Sequence, residues 1–404
     1  MNHILLITLS GKDQPGVTAA ITGILSQHNV SILDIGQAVI HSTLSLGLLV
    51  ELPEGSTDKV ARAVQQVALE KDLRVVTSPV EPERYSDWVE AQGSPRYIVT
   101  LLARKITADQ IARVTSVVSQ HGLNIDGINR LSGRIPLGEL PALSKACVEF
   151  SARGALPDPA SFRRGLLEVA GALEADLAFQ QDNMYRRNRR LVAFDMDSTL
   201  IEAEVIDELA KLAGVGDQVS AITERAMRGE LDFSESFRAR VALLEGLEES
   251  ALERVAQTLR ISEGAEHLIA TLRRLGYKTA ILSGGFTYFA RYLQSRLGID
   301  YVYANELDIE DGRVTGNIKG TIVDGARKAE LLRQLAKEEG IDLQQVIAVG
   351  DGANDLPMLS VAGLGIAFRA KPLVQKSAEQ SISTLGLDAI LYMLGIADRY
   401  QNQD

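Results

Sequence analysis

Three short runs, Leu191 to Phe194, Thr279 to Leu282 and Val346 to Val349, constrain the fold of this chain more than any other feature. Each is strand-like and apolar without alternation, and helical-period sequence separates them. A strand of that kind is buried on both faces, which requires a parallel sheet with helices on either side. The expectation is a doubly wound α/β domain over about residues 185 to 404. Ligands of such sheets bind beyond the carboxyl ends of the strands, and it is there that this sequence turns polar.

After the first run comes Asp195-Met196-Asp197-Ser198-Thr199-Leu200. Side chains two apart on an extended segment point the same way, so Asp195 and Asp197 are expected to share a pocket. Two adjacent carboxylates repel, and a cation holds both ionised. One can then attack while the other moves protons. After the second run, Ser283-Gly284-Gly285 leads into a helical pattern, a hydroxyl and backbone amides of the kind that hold phosphate. After the third, Gly350-Asp351-Gly352-Ala353-Asn354-Asp355 adds oxygen ligands, which suit Mg²⁺. Zinc is disfavoured, since His267 is the only histidine of this region. Lys328, on a helical stretch, is placed to balance the negative charge. Singly, these motifs also read as an Asp-rich capped turn, a strand-to-helix turn and a solvated lysine; occurring together and in this order, they read as one site.

The stretch Phe194-Asp195-Met196-Asp197-Ser198-Thr199-Leu200, with Glu204 beyond it, resembles the haloacid dehalogenase superfamily and, within it, the phosphoserine phosphatase family. The resemblance covers about residues 185 to 395. It implies a Rossmann-like core with Asp195 as nucleophile, forming an aspartyl-phosphate, and Asp197 as acid and then base. It implies that Ser283, Gly284 and Lys328 hold the phosphoryl oxygens, and that Asp195, Asp351 and the backbone carbonyl of Asp197 ligate Mg²⁺. Asn354 matches a polar substrate-binding position and Asp355 a supporting one.

More than 80 residues separate the first two motifs, longer than one crossover helix needs. Helical spacing at Val205 to Leu212, Val219 to Met227 and Ser234 to Leu244 marks a helical cap over about residues 204 to 265. The resemblance places Glu204, Met227, Phe233 and Arg240 where that family encloses its amino-acid substrate. A zwitterion needs one fixed anion and one fixed cation, and Glu204 and Arg240 are such a pair.

The amino-terminal part is built differently. Residues 1 to 80 read as βαββαβ, with the loop Asp13-Gln14-Pro15-Gly16 between first strand and first helix. Residues 79 to 95, carrying Pro79, Pro82, Gly93 and Pro95, read as a connector. Shifting the sequence by 93 positions aligns Ser26-Gln27-His28 with Ser119-Gln120-His121, so a second copy spans about residues 96 to 182. His28 and His121 are read as helix-end residues without chemistry. The first copy resembles the ACT domain, an α+β module whose family often binds amino acids between copies. Asp13 and Gly16 match its ligand loop; the second copy has Arg104-Lys105-Ile106-Thr107 there instead. The resemblance implies L-serine as an effector and a homodimer.

Charge limits the partners: 42 Lys and Arg against 53 Asp and Glu give a net charge of −11, so no nucleic acid is expected. The basic run Arg186-Arg187-Asn188-Arg189-Arg190 abuts the first buried strand and reads as solvated charge flanking it. No run of 18 apolar residues suggests a membrane span, and the single Cys147 suits a reducing cytoplasm. The expected function is Mg²⁺-dependent hydrolysis of O-phospho-L-serine. The rivals are another small phosphomonoester as substrate, or an amino-acid sensor with an inactive phosphatase domain.

Overall fold

The computed structural model describes residues 3–401 apart from 139, 140 and 142. The chain divides into two compact units, residues 1–94 and 95–404. Among the described residues no helix is long and apolar enough to cross a membrane.

The first unit contains β1 (His3–Lys12), α1 (Val17–Gln27), β2 (Ser31–Ile40), β3 (Thr43–Leu52), α2 (Thr57–Glu70) and β4 (Leu73–Val80). They form an antiparallel sheet in the order β2-β3-β1-β4. Alternation in β1 sends Leu5, Ile7 and Leu9 inward against Val17, Ile21 and Leu25 of α1 and Val60, Val64 and Ala68 of α2, apolar stripes at helical spacing. The stretch read as a connector is more ordered than expected. It completes β4 and then forms α3 (Pro82–Ala91), which starts on its proline and buries no side chain.

The second unit opens with β5 (Arg96–Ala103), α4 (Ala108–Gln120), β6 (Asn124–Arg130), β7 (Ala146–Arg153), α5 (Pro159–Leu173) and β8 (Asp176–Gln181). The strand order β6-β7-β5-β8 reproduces that of the first unit. His121 ends α4, bonding its ring to the Val117 carbonyl at 2.9 Å and packing edge-on to Phe162, which agrees with a structural role.

The rest is an α/β body. Its elements are β9 (Leu191–Phe194), cap helices α6 (Val205–Ala213), α7 (Gly216–Met227), α8 (Phe233–Ala242) and α9 (Ser250–Thr258), then α10 (Ala265–Arg274), β10 (Lys278–Phe286), α11 (Thr287–Leu297), β11 (Tyr301–Glu310), β12 (Arg313–Lys319), α12 (Gly325–Glu338), β13 (Val346–Gly350), α13 (Leu356–Val361), β14 (Leu364–Phe368), α14 (Pro372–Ser377) and β15 (Gln380–Ile382). The sheet order is β12-β11-β10-β9-β13-β14-β15, parallel except for the edge strand β12. Val192 and Phe194 of β9 enter one core while Leu191 and Ala193 enter the other, which is why these strands carry no polar alternation. Because β9 lies between β10 and β13, the three motif-bearing strand ends are neighbours.

The second small module packs on this body. Leu102, Cys147 and Ala178 share its larger core, each large apolar side chain so buried contributing about 1.5–3 kcal/mol. At the seam Gln380 exchanges two hydrogen bonds with the Phe179 backbone, and the Asp176 carboxylate accepts from the Ser383 and Thr384 amides at 2.9 and 2.8 Å. The basic run before β9 corrects one expectation. Arg186 and Arg189 are buried rather than solvated: Arg186 pairs with Glu149 of β7, and Arg189 donates to the Gln344 carbonyl. Only Arg187 and Arg190 of its arginines face solvent.

Candidate active site

β9 ends at Phe194, and the chain leaves it through a tight turn. Met196 folds into the core, and Ser198 adopts a left-handed conformation (φ 54°). Asp195 and Asp197 therefore share a pocket through a turn, not through continued strand alternation. Their shared direction was legible; the turn that produces it was not.

Lys328, wholly buried on α12, reaches Asp195 Oδ2 at 2.9 Å and Asp355 Oδ1 at 2.6 Å. Burial works against its charge, but the two carboxylates outweigh it and raise its pKa. The ammonium is a fixed positive charge behind Asp195 and is not part of the cavity lining. Asp355 in turn accepts from the Asp351 and Gly352 amides at 3.1 and 2.9 Å, holding the turn after β13. Thr199 donates to Asp351 Oδ1 at 3.0 Å, tying the first motif to the third.

Ser283 and the glycines depart from the sequence reading in one respect. β10 continues to Phe286 and α11 begins only at Thr287, so Gly284 and Gly285 are strand-end residues and not the first turn of a helix. The Gly285 amide donates to Ser283 Oγ at 2.9 Å. Gly284 accommodates the cap: a β-carbon there would lie 2.7 Å from the Phe233 ring. Its carbonyl accepts from Asn305 at 2.8 Å, while Asn305 Oδ1 accepts from the Val323 amide at 2.8 Å.

A cavity of about 780 Å³ separates cap and body. Asp195, Asp197, Ser283, Gly284, Asp351 and Asn354 line it from the body, and Glu204, Met227, Phe233 and Arg240 from the cap. Glu204 immediately precedes α6 without a side-chain bond to the helix, and its carboxylate accepts from Ser198 Oγ at 2.8 Å. Arg240 lies over the Phe237 ring and donates to the Ser236 carbonyl. Met227 is 65% exposed, at the mouth, where Lys371 reaches its sulfur at 3.7 Å.

The electrostatics suit acid chemistry beside a cation. Burial, with Glu204 and Asp195 nearby, pushes Asp197 well above the usual carboxylate range. Burial also raises Glu204, with Asp195 adding to the effect. Burial, then repulsion from Asp195, carries Asp351 up to about 8 and Asp355 up to about 7. Asp195, Asp351 and Asp355 bring one oxygen each within 4.8 Å of one another, and these crowded buried carboxylates fit a hard divalent cation. The Asp197 carboxylate lies outside that group, so any role of Asp197 as a ligand falls to its backbone carbonyl.

Asn305 and Lys371 escaped the sequence reading, which took Thr199 only as part of the first motif and its capped turn. Asn305, on a strand that also carries Glu306 and Asp308, did not stand out; the partners of Thr199 and Lys371 are distant in sequence. In the first unit, Asp13 and Gly16 line a separate cavity of about 460 Å³ with Gln14, Thr18 and Gln37.

A haloacid dehalogenase-like hydrolase family model matches residues 192–360, and an ACT domain model matches residues 3–78. The chain is 42% identical to a phosphoserine phosphatase of Streptomyces coelicolor over 394 residues, covering 97% of this chain and 92% of that one. It is 41% identical to a phosphoserine phosphatase of Mycobacterium tuberculosis, covering 97% and 93%. Among solved structures, a probable phosphoserine phosphatase of Vibrio cholerae superposes with a TM-score of 0.60 at 35% identity, over 77% of this chain and 89% of that one. A haloacid dehalogenase family hydrolase of Salmonella enterica gives 0.64 at 31% identity, over 74% and 98%. With the acid cluster, the capped cavity and near full-length similarity in agreement, the chain belongs to the phosphoserine phosphatase family of haloacid dehalogenase-like hydrolases.

Proposed function

We propose that the protein hydrolyses O-phospho-L-serine to L-serine and phosphate. The observation that carries this reading is that one cavity is lined by Asp195 and Asp197 from the body and by Glu204 and Arg240 from the cap. The first pair suits phosphoryl transfer, and the second suits the ammonium and carboxylate of the substrate.

In the first step an Asp195 oxygen attacks phosphorus, and the bond to the serine oxygen breaks. Asp197, kept protonated by burial and its acidic neighbours, gives its proton to that oxygen. In the second step the Asp197 carboxylate takes a proton from water as the water attacks the aspartyl-phosphate, releasing phosphate and restoring Asp195. Ser283, the Gly284 backbone and Asn354 orient the phosphoryl oxygens, with the Lys328 charge behind them. Asp195, Asp351 and the Asp197 carbonyl would hold Mg²⁺, which supplies positive charge for the phosphoryl group. Phe233 over Gly284 excludes water from the mouth. The cavity around Asp13 and Gly16 would take L-serine as effector, within a homodimer. The lone buried Cys147 suits a cytoplasmic setting.

Phosphate release from a panel of phosphomonoesters, with and without Mg²⁺, tests the proposal. O-phosphoserine should be preferred over O-phosphoethanolamine, which lacks the carboxylate; equal rates would remove Arg240 from recognition. Asp195→Asn should lower turnover by about 10³-fold or more with an unchanged circular dichroism spectrum; near-normal turnover would refute the nucleophile.

A further inference from the structure

Ser283 and Gly284, which orient the phosphoryl group in the function proposed above, and Gly285 beside them lie where the sheet leaves the backbone unheld. The ladder between β9 and β10 ends at the pair Phe194 and Ile281. The ladder between β10 and β11 breaks after Leu282 and resumes at Phe286, opposite Asn305. The three residues between have no place in either ladder, and two successive glycines bring no side chain to restrict the peptide that joins them. Both are glycines for want of room: a β-carbon at Gly284 would strike Phe233 of the cap, and one at Gly285 would lie 2.4 Å from Asp197 Oδ2.

One side chain from the neighbouring strand supplies the hold instead. Asn305 is 1% exposed and does not line the catalytic cavity. Its Nδ2 donates to the Gly284 carbonyl at 2.8 Å, and its Oδ1 accepts from the Val323 amide at 2.8 Å. A carbonyl only accepts and a backbone N–H only donates, so these partners leave the amide a single orientation. The far edge of the same Gly284–Gly285 peptide is the Gly285 N–H, which donates to Ser283 Oγ at 2.9 Å. That peptide is therefore gripped on both sides. The Ser283 oxygen is engaged as an acceptor, which leaves the hydroxyl its own hydrogen to give into the cavity.

The other end of Asn305 reaches the third motif's helix. Val323 directly precedes Asp324, the cap of α12, whose side chain accepts from the Arg327 amide at 2.8 Å and whose carbonyl accepts from the Lys328 amide at 2.9 Å. Asn305 thus ties the Ser283 turn to the start of the helix that carries Lys328.

We infer that Asn305 is a positioning residue for phosphoryl transfer: it fixes the Gly284–Gly285 peptide and, through it, aims the Ser283 hydroxyl at the phosphoryl oxygens. The inference rests on reading the cavity as a phosphomonoester hydrolase site, whatever the leaving group.

A double-mutant cycle tests it, with kcat measured for wild type, Asn305→Leu, Ser283→Ala and the double variant on O-phosphoserine and on 4-nitrophenyl phosphate. Melting curves identify folded protein, and Asn305→Ser, too short to reach both partners, replaces the leucine variant if that one does not fold. Asn305→Leu should lower kcat by about 10- to 100-fold on both substrates, the scale of a misplaced reacting group. In the Ser283→Ala background the same change should cost less than about threefold, because the hydroxyl it aims is gone. An asparagine that only stabilises the fold would cost the same factor in both backgrounds. That equality overturns the inference, as does a folded variant with kcat within about twofold of wild type. Wild type that hydrolyses the aryl phosphate but not O-phosphoserine would refute the serine reading alone, and the cycle is then decided on the aryl phosphate.

Discussion

In the first small module the loop between β1 and α1 opens onto a cavity lined by Asp13, Gly16, Thr18 and Gln37. In the second, the corresponding loop closes on the α/β body: Arg104 makes two bonds of 2.8 Å to the Glu263 carboxylate, and Thr107 forms a capping box with Gln110. The outer sheet faces differ in the same way. Leu5, Ile7 and Leu9 face the module core as Val99, Leu101 and Ala103 do in the copy. The opposite face therefore carries Leu6 in one module, 39% exposed, and Ile98, Thr100 and Leu102 in the other, all buried. One duplicated architecture keeps an open cavity beside its first loop in one place and serves as a support for the α/β body in the other. Sequence drift on one face and one loop suffices, because the module core faces inward and is indifferent to both.

The largest way to break this contrast is Leu102→Ala, which should cost about 2–5 kcal/mol by opening a cavity in the shared core. Leu6→Ala, on the uncovered face of the other copy, should cost less than about 1 kcal/mol. Urea unfolding measures both, and similar losses would show that the two faces are equivalent after all. Next comes Gly16→Val. With φ at 82°, a β-branched residue there should cost about 1–3 kcal/mol and abolish any response of the rate to added serine, while turnover without serine is unchanged. Identical serine titrations for the variant and wild type would discard the effector cavity.

The smallest effect is expected from Arg104→Ala, about 1 kcal/mol at neutral pH because the pair is partly exposed. Its pH dependence sharpens the comparison. The bond to Arg104, with Arg369 also nearby, holds the Glu263 carboxyl below its usual range. A depressed carboxyl contributes stability that is present above its unfolded pKa of about 4.3 and lost as pH falls through the folded value. The gap between wild type and Arg104→Ala should therefore close as the medium is acidified below about pH 4; thermal melts at stepped pH show this, and a constant gap would mean the arginine acts through packing.

Glu263 also shows how such a contact reaches the site. It receives Arg369 at 2.6 Å as well as Arg104, and it lies two residues after Ile261, which pairs with Ile201 where the chain enters and leaves the cap. Legibility in the sequence followed the range of each interaction. Asp195, Asp197, Ser283 and Asp351 could be read because each follows a strand end that marks its place, whereas Glu204 and Arg240 came from the family resemblance and not from any local pattern. The Thr199 bond to Asp351 crosses 152 positions, and no local pattern announces it. Arg186 and Arg189 misled for the same reason. A basic run looks solvated until Glu149 and the Gln344 carbonyl, distant in the chain, are brought against it.

Local chemistry by itself determined the repeat, the doubly apolar strands, the oxygen-rich strand ends and the helical cap, since hydrophobic period and turn residues act over a few positions. Tertiary structure alone decided that β9 lies between β10 and β13, that Lys328 is buried between Asp195 and Asp355, and that the second module shares a core with the α/β body. Those outcomes depend on which distant surfaces exclude water together, and that is a property of the packed chain.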